Sequence, residues 1–142
     1  MNVNPEIVES IKVVTDIQIE NRALMRCPEY DGYEVKTNQH CYMVLIENEQ
    51  NCCETWGYFA SNDNDLGQYV GKVLAGVYLT DTALNTKKVE ELHLDERDIQ
   101  FVDFVFADGD KLQLAVYNAH NGYYGHSILV IRDDVILKQD TL

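Results

Sequence analysis

Three runs rich in β-branched and aromatic residues, at 101–106, 112–117 and 124–131, limit the folds open to this chain more than any other feature. Asp108-Gly109 separates the first two and Asn121-Gly122 the last two. Asn-Gly or Asp-Gly between strand-like runs signals a hairpin, because a type I′ turn needs positive φ at both central residues and these residues tolerate it. The pattern predicts a three-stranded antiparallel meander over 101–131, with His120 opposite Tyr123 and Tyr117 opposite His126. Alternation then puts Asn118, His120 and Tyr123 on one face of the hairpin, and Tyr117, Tyr124 and His126 on the other.

The rest of the chain is also read as mostly strand. Tyr42, Val44 and Ile46 alternate with Met43 and Leu45 in a buried strand at 41–47, which 48–51 interrupts before a second run at 52–59. A short strand at 33–36 follows the turn signals Cys27-Pro28 and Asp31-Gly32. Further strands are expected at 73–80 and, after Asp133-Asp134, at 135–138. Asn4 as N-cap and Pro5 at the first helical position suit a helix over 5–14, although Val13, Ile17 and Ile19 leave a strand open. The polar loop 60–65 is suited to capping a helical turn at 66–70 closed by Gly71. Residues 85–97 read as a charged, solvated and partly helical excursion with apolar spots at Val89, Leu92 and Leu94. The expectation is one domain over 1–142. Its class is α+β, β-rich and mostly antiparallel, with one or two short helices, and 1–35 is its least constrained segment.

Charge excludes one class of partner. With 24 acidic and 11 basic residues the net charge is −13, and there is no basic cluster beyond Lys87-Lys88. Direct nucleic-acid binding through Lys and Arg contacts is therefore not expected. An acidic surface can instead dock into a basic groove, so mimicry of nucleic acid against a nuclease or a CRISPR effector stays open. Without a long apolar run or a secretory signal, the reading is a cytoplasmic protein that does not meet the membrane. Its four cysteines are expected to be reduced.

The strongest candidate for function is the segment 120–126, where two imidazoles and two phenols surround a turn of Asn and Gly. Tyr offers a flat apolar face with a polar tip, which suits a ligand platform or an interface. Metal binding is not expected. Cys27, His40, Cys41, Cys52, Cys53, His93, His120 and His126 include zinc-type ligands, but no Cys-x-x-Cys spacing occurs, and Cys52 and Cys53 would point to opposite faces of a strand. Acid–base chemistry by Glu54 with His126 is chemically possible as a hydrolase alternative, although no nucleophile elbow, phosphate loop or His-Glu-x-x-His pattern supports it.

Asn51-Cys52-Cys53-Glu54-x-Trp56-Gly57-Tyr58-Phe59 and Tyr117-Asn-x-His-Asn-Gly-Tyr-Tyr-Gly-His126, taken together, resemble a family of small uncharacterised proteins encoded mainly by bacteriophages and prophages. The resemblance covers about 40–131. It implies a compact β-rich domain framed by the two boxes, a phage origin and residence in the host cytoplasm. By analogy of origin it suggests a non-enzymatic counter-defence protein that binds a nucleotide-derived signal or a host defence protein. The expected contributors are Glu54, Trp56, Asn118, His120, Asn121, Tyr123, Tyr124 and His126, with no cofactor and with homo-oligomerisation left open.

Overall fold

Pro5 precedes a strand, not a helix. The computed structural model describes residues 4–19, 28–50, 55–63, 65–119 and 125–142. In it β1 (Glu6–Gln18) runs through the segment expected to be helical. The reason is legible in its pairing with β2 (Glu29–Thr37), whose register shifts between Val8 and Ser10 and again between Val14 and Ile17. Each bulge moves the phase of alternation by one residue. Val8 and Ile11 keep to one face across the first bulge, and Val14 and Ile17 to the opposite face across the second, so apolar residues recur every three positions, a spacing that imitates one face of a helix.

The remaining elements are β3 (Cys41–Glu47), β4 (Thr55–Ala60), β5 (Val73–Thr80), α1 (Thr86–Glu91), β6 (Ile99–Phe106), β7 (Lys111–Ala119), β8 (Ser127–Arg132) and β9 (Val135–Thr141). The strands form one antiparallel sheet in the order β4-β7-β6-β5-β1-β2-β3-β8-β9. Its fold line is β1, which pairs with β2 along its length but with β5 only through Glu6–Leu74 and Ile7–Val73. The two halves close on a shared core. Tyr33, Val35, Tyr42, Val44 and Ile46 from one half meet Val102, Phe104, Leu112, Leu114 and Val116 from the other. Edge-to-face contacts of Tyr33 with Tyr58 and of Tyr42 with Phe104 cross between the layers at ring separations of 5.5 and 5.6 Å.

The expected meander is correct only in its first hairpin. β6 and β7 pair across the Asp108-Gly109 turn, where Gly109 has φ 90°. The next strand, β8, pairs with β3 and β9 and not with β7, while Tyr117 lies opposite Ile99 and Gly57. The Tyr117–His126 pairing is therefore not formed. The Asn121-Gly122 turn itself lies outside the described residues. The cause is burial: residues 112–118 and 127–131 are buried without interruption. Such strands must be covered on both faces, and alternation does not say which neighbour each will take. At the expected Asp133-Asp134 turn two consecutive residues have positive φ (50° and 69°), joining β8 to β9.

Helix contributes little. Among the described residues α1 is the only α-helix, six residues long and capped by Asn85, whose side chain accepts the Lys88 amide. The expected turn at 66–70 is a 3-10 turn over Leu66–Tyr69, and Asp65 makes no side-chain cap. Asp63 of the same loop accepts instead from the Ala60 amide and the Tyr33 hydroxyl, both at 3.0 Å. The excursion at 85–97 is not wholly solvated. Val89, Leu92 and Leu94, with Ala83, pack against Phe59, Ile99, Phe101, Ala115 and Tyr117 on the outer face of the β4–β7–β6 half. The domain is thus β-rich with one short helix, and the α component of the expected class is slight.

Candidate functional site

Strand register brings the flanks of the two sequence boxes together. Thr55 pairs with Ala119 and Trp56 with Asn118, so the chain enters β4 and leaves β7 at adjacent points. In the opposite layer Gln18 pairs with Glu29, Tyr30 with Glu47 and Ile46 with Ile128. Side chains and backbone near these ends then join the layers. The Trp56 ring stacks on His126 at 5.5 Å and 28°. His126 Nδ1 lies 2.5 Å from the Glu47 carbonyl oxygen. A carbonyl only accepts, so Nδ1 carries the proton and donates. The Asn118 amide donates to the Leu142 carbonyl at 3.0 Å, and Leu142 exchanges both backbone hydrogen bonds with His126 at 2.9 Å.

The described residues bordering 20–27, 51–54 and 120–124 therefore all lie at one end of the two-layer fold. Glu54, His120, Asn121, Tyr123 and Tyr124 fall outside the described residues. Trp56 is half-buried, whereas Asn118 and His126 have no exposed surface. Asn118 and His126 thus form an internal brace across the end of the sandwich, beneath the chain positions from which both boxes depart. Sequence reasoning missed the Glu47 carbonyl and Leu142 because both act through backbone atoms that no side-chain motif records.

Most of the described tyrosines are structural. Tyr69 stacks on Phe106 and Tyr117 packs against Phe59. Burial pushes the Tyr58, Tyr69 and Tyr117 phenols above their ordinary range, which marks them as neutral packing groups. Tyr78, by contrast, is exposed. Desolvation, and next the nearby Glu34 carboxylate, raise the Cys41 thiol, which opposes a reactive thiolate. Cys27, Cys52 and Cys53 lie outside the described residues. No group of three or more His, Cys, Asp or Glu side chains arranged for a metal occurs among the described residues. A separate cavity of about 360 Å³ lies between the α1 excursion and the sheet, with Ile99 and Phe101 in its wall and Asp81 and Glu90 among its lining. None of the expected site residues lines it.

Fold and brace together define a two-layer antiparallel β domain in which the described residues bordering 51–54 and 120–124 lie at one end. Residues 6–130 match the domain of unknown function DUF7448, and the chain belongs to that family. No curated protein and no solved structure matches it. Among the described residues no helix is long and apolar enough to cross a membrane.

Proposed function

We propose that this chain is a non-enzymatic binding protein and that its contact surface is the end of the sandwich from which 51–54 and 120–124 depart. The observation that carries this reading is the Thr55–Ala119 and Trp56–Asn118 register, closed over by the Trp56–His126 stack. Two sequence boxes some sixty residues apart are anchored to adjacent points on a rigid scaffold, the usual arrangement for loops that recognise a partner. In this reading Trp56, Asn118 and His126 hold the base. Glu54, His120, Asn121, Tyr123 and Tyr124 supply the contacts.

The ligand class follows from those side chains. Phenol rings stack on a nucleobase, and imidazole and carboxamide groups hydrogen-bond to ribose or phosphate, so a nucleotide-derived signal suits them. With the resemblance to phage-encoded proteins, the biological reading is sequestration of a defence signal in the host cytoplasm. Full burial of His126 disfavours it as the base of a Glu54-dependent hydrolase.

Thermal-shift screening against nucleotides and cyclic nucleotides, followed by mass analysis of each bound compound, tests the proposal. A compound that raises the melting temperature and is released unchanged supports it. A chemically altered compound makes the protein an enzyme. Absence of any shift, with capture of a host protein from lysate, makes the target a protein, either at this end or through acidic mimicry.

A further inference from the structure

We propose that β9 is a self-pairing edge through which two copies of this chain join their sheets in an antiparallel, two-fold dimer. β9 ends the strand order, and among the described residues no strand pairs with its outer side. Val135, Ile136 and Leu137 on it are 55%, 50% and 38% exposed, an unusual run for an open edge.

The occupant follows from hydrogen-bond phase and charge. His126 and Leu142 exchange both backbone bonds, so with antiparallel alternation the Ile128–Asp140 pair is also hydrogen-bonded, while Ser127–Thr141 and Leu129–Gln139 are not. The amides and carbonyls of Gln139 and Thr141 therefore point away from β8. A two-fold axis at Gln139 lets each Gln139 bond to its counterpart and sets each Leu137, the extra residue where the β8–β9 register shifts, beside the other copy's Thr141. The same register sets each Lys138 directly opposite the other copy's Asp140, twice by symmetry. Lys138 and Asp140 already share a face, with Nζ and Oδ2 3.6 Å apart within the chain. One strand sequence thus satisfies its own backbone and its own charges, which an acidic protein of net charge −13 could not do through most of its surface. A strand edge buries less area than a standard interface, so the dimer is weak and concentration-dependent.

Sedimentation equilibrium of the full chain, from micromolar to several hundred micromolar, reads the association. A monomer–dimer equilibrium is expected. Gln139→Pro removes an outward N–H without touching the β8 ladder and should leave only monomer. Lys138→Asp turns two attractive pairs into two repulsive ones and should weaken the dimer by about tenfold. Lys138→Asp combined with Asp140→Lys should restore it. Monomer at every concentration overturns the proposal, as does a dimer indifferent to the charge reversal. If Gln139→Pro misfolds, the loss and recovery of association across the charge-swap pair still decides.

Discussion

His126→Ala is the substitution that best separates a scaffold role from a contact role. The side chain is fully buried, stacked on Trp56 and donating to Glu47. Truncation removes a large buried ring, for which about 2–4 kcal/mol is the usual range of large-to-small changes in a core. It also deletes a hydrogen bond worth about 1 kcal/mol net. Some of this overlaps, so the expected loss is about 3–4 kcal/mol, a large part of the roughly 5–15 kcal/mol by which domains are stable. At about 3 °C per kcal/mol for a chain of this size, the melting temperature should fall by roughly 10 °C. Urea unfolding followed by Trp fluorescence reads this directly, because Trp56 is the single tryptophan and its ring lies against the deleted one. The slope with urea should be unchanged and only the midpoint should move. A variant within about 0.5 kcal/mol of the wild type, the ordinary range for surface changes, would refute the brace.

Gly32→Ala should prevent folding or cost several kcal/mol, visible as insolubility or lost cooperativity. Gly32 has φ 156° and an added Cβ would stand 2.0 Å from the Val44 carbonyl oxygen. Tyr33→Phe should cost about 1 kcal/mol by chemical denaturation, because it deletes the hydroxyl's 3.0 Å bond to Asp63 within the core. Desolvation, with Asp63 adding to it, raises the Tyr33 phenol far above its ordinary value, and burial with the Glu6 bond does the same for Tyr42. Folded values above unfolded ones give stability that is full below the ordinary tyrosine range and lost progressively as pH rises from it towards the raised folded values. Absorbance at 295 nm should therefore show these two phenolates appearing together with alkaline unfolding. The Asp133 carboxyl is held low, first by its bond from His40 and then by the Cys41 amide. Its contribution is present above the ordinary carboxylate range and lost as pH falls through its lowered value, so Asp133→Asn should flatten the acid limb of a stability–pH curve.

Strand content was legible in the sequence, and pairing was not. The runs at 41–47 and 73–80 coincide with β3 and β5 because alternation of apolar residues against flanking turn signals is local information. The neighbours of β7 and β8 are non-local, and continuous burial erased the alternation that could have chosen between them. In β1 the bulges disguised a strand as a helix face. For the site, alternation along a hairpin set Asn118 and His126 on opposite faces, whereas Trp56, Asn118 and His126 meet across the layers around Leu142. Side-chain composition suggested that His126 touches a ligand. Its burial became visible only once the backbone of Glu47 and Leu142 had closed around it.

The proposed binding surface is the end of the sandwich flanked by Thr55 and Ala119. Amide hydrogen exchange read by mass spectrometry, with and without the nucleotide that gives the largest thermal shift, tests it most directly. New protection is expected in peptides covering 47–56 and 117–127, weakened by His120→Ala or Tyr123→Ala, with 73–80 and 133–141 unchanged. Protection confined to the α1 cavity or to β9, or unaffected by both substitutions, would contradict it.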